Sequence, residues 1–151
     1  MILIKNKITK IKINSNKIKN DVATMLKIAG YPGFDIGILF TTNQTIKKYN
    51  KTYREKDKAT DILSFPYHTE LKAGEKITIL DPEDKNLGDI IISLEFAKKD
   101  AKRLTQALSK HLETLLAHGI AHLLGHDHKS DTEYKAMQKF EHKLLKTVNQ
   151  I

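Results

Sequence analysis

The stretch HGIAHLLGHDH, from His118 to His128, constrains what this chain can fold into more than any other. Residues four apart on a helix share a face, so the imidazoles of His118 and His122 point the same way. Gly125 takes the left-handed conformation that ends a helix, and the chain then turns so that His128 returns to the same point. Three neutral imidazoles converging there make a zinc-type site with one coordination position open, an arrangement that suits catalysis. The chain contains no cysteine, which leaves an all-histidine donor set suited to one Zn2+ per chain. His126 stands beside this pattern as a replacement for His128 or as a fourth ligand that would close the site. Asp127 is either an acceptor orienting a ligand histidine or a solvated loop aspartate. His111 shares the histidine arc but lies about 10 Å away by helical rise, and is expected to be solvated or to line a cleft.

What is missing also decides. Zinc peptidases carry H-E-x-x-H, whose glutamate is the general base. Here that position is Gly119, so the peptidase route lacks its proton acceptor. On the helix Gly119 falls on the buried side, where a missing side chain permits close approach of a strand.

A chain of 151 residues is long enough for one domain with a real core. The opening Met1 to Ile4 is broken by Lys5 and Lys7, unlike a signal peptide. No apolar run approaches the ~18 residues of a membrane span, so no membrane partner is expected. The lack of cysteine fits a cytoplasmic protein. A net charge of +8 and a pI near 9.5 favour polyanionic partners such as RNA. The excess is almost all lysine; only Arg54 and Arg103 are arginine.

Alternating isoleucines and lysines predict a first strand within residues 2–13, and the apolar stripe Ile18, Val22, Met25, Leu26 a helix over 16–29. Strands follow over 34–40, 61–65 and 88–92, the last β-branched and central, with a short helix capped by Thr42 or Asn43 after the second. Residues 68–87 read as a polar excursion. The rest is helical, over 94–105, 109–125 and 130–148. One α+β domain is expected over residues 1–151, with a mixed four-stranded sheet, five to six helices, and the metal site on a helix of the C-terminal half and its following loop.

Three segments carry a resemblance. YREKDKATDILSFP, residues 53–66, resembles Y-R-G-K-D-x-P-T-D-V-L-S-F-P of the YbeY family, the bacterial single-domain endoribonucleases of ribosomal RNA maturation. LGDIIIS, residues 87–93, is similar to that family's L-G-D-I-V-I-S, and the histidine block is the third match. The departures are Glu55 for glycine, Ala59 for proline, and His126 where the family usually has an aromatic residue. The family pattern places the third ligand three residues after the glycine, which favours His128 over His126. The resemblance implies a single-strand-specific, metal-dependent endoribonuclease acting in the cytoplasm on rRNA or pre-ribosomal particles, in late small-subunit rRNA processing and ribosome quality control. Zinc on His118, His122 and His128 would draw the pKa of a water towards neutrality and polarise a phosphate oxygen. Arg54 matches the family's functional arginine and would hold a phosphate through a bidentate fork; the other role open to it is a surface salt bridge with Glu55 or Asp57. The proton acceptor stays open between the activated water itself, the substrate 2′-hydroxyl and Asp127. So do two other readings, a zinc hydrolase of another substrate class and a non-catalytic ribosome-associated zinc module.

Overall fold

In the computed structural model, which describes residues 1–148, four strands build one mixed sheet. The elements run β1 (Ile2–Asn6), α1 (Ser15–Ala29), β2 (Asp35–Thr41), α2 (Asn43–Arg54), β3 (Ile62–Pro66), β4 (Asn86–Ser93), α3 (Leu94–Arg103), α4 (Leu108–Leu123) and α5 (Asp131–Val148). The sheet order is β1-β2-β4-β3. β2 pairs in parallel with both β1 and β4, and β3 joins β4 antiparallel as the edge strand. The β-branched strand is therefore interior, as its run of isoleucines requires. The single-domain α+β architecture expected from the sequence is the one observed.

Alternation assigns the two sheet faces. Ile36, Ile38, Phe40, Ile90 and Ile92 enter the main core with α1 and α4. Leu39, Leu63 and Ile91 face the other way, where Ile46 of α2 covers part of them. α4 is the central helix, packed against β3, β4, α1, α3 and α5. No helix among the described residues is long and apolar enough to cross a membrane.

Three local expectations are adjusted. The first strand stops at Asn6, whose side chain accepts the Ile8 N–H and turns the chain. Ile8 and Ile11 are nonetheless buried, at 4% and 8% exposure, so hydrophobic alternation there marks core residues on a loop. The polar excursion holds one 3-10 turn, Pro82–Asp84, in which the Asp84 carboxylate accepts the Leu80 and Asp81 N–H groups. Finally, α4 ends at Leu123 rather than running on to Gly125.

Candidate metal centre

The site is built on the last turn of α4 and the loop behind it. Gly125 has φ +91°, the left-handed conformation that its position requires. A Cβ there would lie 2.5 Å from the Leu71 carbonyl oxygen, so the turn also depends on close approach of the excursion. This geometry returns His128 to the helix face. The ligand atoms of His118, His122 and His128 lie within 4.8 Å of one another, and no other histidine or carboxylate among the described residues joins them.

The outward nitrogens fix the tautomers. His118 Nδ1 lies 2.6 Å from Glu141 Oε1 on α5, and His122 Nδ1 lies 3.0 Å from the His126 carbonyl oxygen. A carbonyl oxygen or an ionised carboxylate can only accept, so each Nδ1 carries its proton and donates it. The two Nε2 atoms turn inward and are 3.1 Å apart. A proton shared between the two nitrogens or a metal ion bound by both accounts for that approach. Tetrahedral zinc with Zn–N of about 2.0–2.1 Å sets its nitrogens about 3.3 Å apart, so the donor set fits. Burial, then the neighbouring His118, push the His122 pKa below that of a free imidazole, which keeps the ring neutral and able to bind.

His126 is not part of this group. Its ring stacks on Phe140 of α5 at 4.7 Å and 21°, taking the place of an aromatic side chain, while its carbonyl serves His122. Asp127 accepts the backbone N–H of His128 at 2.8 Å, which holds its carboxyl below the ordinary range; it bonds no ring nitrogen of the three histidines. His111 departs from expectation. It is 7% exposed and neither ring nitrogen has a partner among the described residues. α4 is enclosed along most of its length, so only its final turn reaches the cleft. Gly119 has the packing role predicted: a Cβ there would lie 2.7 Å from Ile90 Cδ1 and 3.1 Å from Ile62 Cδ1.

Arg54 ends α2 and lines the same cleft as the histidines, a space of about 610 Å³. Its Nη2 donates to the Ser64 carbonyl at 2.8 Å, and its guanidinium carbon sits 5.0 Å from the Phe65 ring centroid. It forms no salt bridge with Glu55 or Asp57; Asp57 lies instead 3.9 Å from both Lys47 and Lys51. Glu55 adopts φ +59° as the cap of α2, so the loop keeps a left-handed residue although no glycine stands there. Lys56 and Lys58 complete a basic rim.

Two contributors escaped the sequence. Glu141 orients His118 from another helix, and nothing in its local pattern marks it. Buried Asn50 donates through Nδ2 to the Lys58 carbonyl at 2.9 Å and pins the loop after α2. A polar residue four positions after buried Ile46, on the same helix face, was the available sign.

Comparison with known proteins points to one family. The family model described as Endoribonuclease YbeY matches residues 3–149. A protein of that name from Aquifex aeolicus is 37% identical over 140 residues, covering 92% of this chain and 87% of the relative. One from Clostridium botulinum (strain Langeland) is 37% identical over 163 aligned positions, covering 99% and 98%. A human protein of the same name is 33% identical over 144 residues, covering 95% and 86%. The solution structure of TM1509 from Thermotoga maritima shares the fold, with a TM-score of 0.59 at 21% identity over 97% of this chain and 91% of that one. The chain belongs to the YbeY endoribonuclease family.

Proposed function

We propose that this chain is a zinc-dependent, single-strand-specific endoribonuclease of rRNA maturation, with one ion held by His118, His122 and His128. The observation that carries the reading is the convergence of His118, His122 and His128, whose ligand atoms lie within 4.8 Å of one another, in a cleft shared with Arg54. A bound zinc would act there as a Lewis acid, drawing the pKa of a water towards neutrality and polarising a phosphoryl oxygen.

The chain's own groups do the rest. Glu141 and the His126 carbonyl hold two imidazoles in one tautomer and orientation. Arg54, with Nη2 donating to the Ser64 carbonyl and Nη1 to the Tyr53 carbonyl at 3.5 Å, keeps further N–H groups for a phosphate, and its planar fork would fix the phosphate's orientation. Lys56 and Lys58 raise the local concentration of RNA. Asp127 accepts the His128 N–H within its own loop and so shapes the turn that carries the third histidine. The substrate would be rRNA or pre-ribosomal particles in the cytoplasm, and the charge of +8 supports a polyanionic partner. The peptidase alternative is disfavoured because position 119 faces Ile90 and Ile62 and offers no base. A structural zinc module is disfavoured because three side chains converge among the described residues and the site opens into a cleft.

The test compares wild type with His122→Ala for bound metal and for cleavage of single-stranded and structured RNA. The wild type should hold about one zinc per chain and cut RNA, and the variant should do neither. Stoichiometric metal in the variant, or cutting of unfolded protein that tracks zinc, overturns the reading.

A further inference from the structure

The face of the sheet that points away from α4 carries a groove that the reaction above does not use. Strand register aligns Leu3, Gly37, Asp89 and Phe65 in one row across all four strands. At Gly37 this row has a gap, and the Asp89 carboxylate leans over it so closely that a Cβ on Gly37 would collide with Oδ1. The space is about 430 Å³, walled by Tyr49, Tyr53 and Phe65. Tyr53 is 58% exposed, with its ring 6.1 Å from Tyr49 at 18° and 5.4 Å from Phe65 edge-on. Asp89 forms no hydrogen bond or ion pair among the described residues. An exposed aromatic wall beside a carboxylate with no protein partner is binding chemistry rather than core chemistry.

The groove and the cleft share no lining residue but lie on either side of one strand, with Phe65 in the groove and Ser64 and Pro66 in the cleft. Only the edge strand β3 separates them, and Arg54 straddles it: the guanidinium bonds the Ser64 carbonyl and lies over the Phe65 ring while lining the cleft. A single strand of RNA whose phosphate sits on Arg54 can therefore place a neighbouring base in the groove. Its π-face would meet aromatic rings and its edge would meet Asp89.

We propose that this groove is a nucleobase subsite, in which an unpaired guanine next to the phosphate on Arg54 stacks on Tyr53 and donates its edge to Asp89. Guanine is singled out by chemistry. Its N1–H and N2–H₂ are adjacent donors that match the two oxygens of a carboxylate, which can only accept. Adenine and cytosine set their amino group beside an acceptor nitrogen, and uracil flanks its one N–H with carbonyls, so each gives the carboxylate a poorer match. The inference rests on the reading of RNA as substrate, and its test must separate the two.

The experiment uses the metal-loaded full chain with short oligouridylates carrying one guanosine, adenosine or cytidine at each position in turn. Binding is read by anisotropy and by tyrosine emission, which no tryptophan obscures in this chain; cleavage position, kcat and KM are read in parallel. Guanosine oligomers should bind tightest, quench tyrosine emission and be cut at a fixed distance from the guanosine. Tyr53→Leu should weaken their binding roughly 5- to 100-fold, the loss of one base–aromatic stack, mainly through KM, and Tyr53→Phe should restore it. Asp89→Asn should erase the guanine preference and leave uridine oligomers unaffected. Both residues are exposed, and unchanged metal content in each variant checks the fold. Equal binding and cleavage of all oligomers by wild type and both variants overturns the subsite, assigns the groove to a protein segment instead, and leaves the nuclease reading standing. Guanine-selective, Tyr53-dependent binding without cleavage of any RNA by wild type sinks the nuclease reading and supports the subsite.

Discussion

The two walls of the cleft are built in opposite ways. The histidine wall is the end of α4, whose neighbouring side chains are almost all buried, and each of its two helical imidazoles has its outward nitrogen tied to a partner. Glycine sits at both points where backbone or strand must come close, Gly119 and Gly125. The arginine wall is the exposed, capped end of α2. Arg54 and the residues around it are exposed, and Glu55 holds a left-handed conformation that costs a side-chain-bearing residue about 1 kcal/mol. A metal needs donors placed within about half an ångström, so its wall is made of packed elements with supporting hydrogen bonds. A phosphate is met by a long side chain that can adjust, and a loop suffices.

The contrast can be broken most severely at Gly125. Gly125→Ala combines an unfavourable φ with a backbone collision at the Leu71 carbonyl, and should destabilise the protein by about 2–4 kcal/mol. For a chain this size that lowers Tm by roughly 5–15 °C, and zinc content should fall with it. An unchanged melting curve would mean that the turn relaxes freely and that the histidine wall is no more rigid than the other.

A gentler change on the same wall is Glu141→Gln. The amide can still accept a hydrogen bond but carries no charge, so metal affinity should fall roughly 10- to 100-fold, the usual cost of losing an outer partner. Competition with a zinc chelator measures this directly. Affinity within twofold of wild type would show that the His118–Glu141 contact does not orient the ring.

On the facing wall, Arg54→Lys should keep fold and full zinc while losing most RNA cleavage, roughly tenfold or more in kcat/KM, because an ammonium supplies charge without the fork. Bulk RNA affinity should fall much less, since the many lysines remain. Wild-type cleavage by this variant would show that charge alone is enough.

The smallest effect should be a gain. Glu55→Gly removes the strain at φ +59° and should stabilise the protein by about 0.5–1 kcal/mol, with metal content untouched. A denaturant titration resolves it through the midpoint. Loss of stability would mean that the glutamate side chain makes up for its backbone.

Legibility from sequence divides along the same line. The i,i+4 histidine pair and the glycine after it are local, so the helix and the turn follow from spacing alone, while the choice of His128 over His126 rested on the family pattern. Gly119 was readable for the same reason, since its angular position put it under the sheet. Glu141 was not, because its meaning lies in α5 docking against α4. Nor was the desolvation of His111, whose place in the histidine arc suggested the cleft although the helix carries it into packed interior. The isoleucines after Asn6 misled in a third way: alternation reported burial correctly but not strand, because the Asn6 side chain accepts the Ile8 N–H and turns the chain away after the last inter-strand bond, from Lys7 to Phe40. Arg54 stood out by composition, as one of two arginines, yet its contact with β3 was visible only in three dimensions.

The partner that orients His118 comes from the last helix of the chain, and this gives the site a history as well as a shape. Synthesis proceeds from the N-terminus, so all three histidines emerge before Glu141 does, and Phe140, on which His126 rests, emerges just ahead of it. Until α5 docks, the His118 ring lacks its acceptor and the loop behind α4 lacks its stacking surface. Metal capture in the finished geometry is thus postponed to the end of folding, and a chain that holds its ion firmly is one whose final helix is already in place.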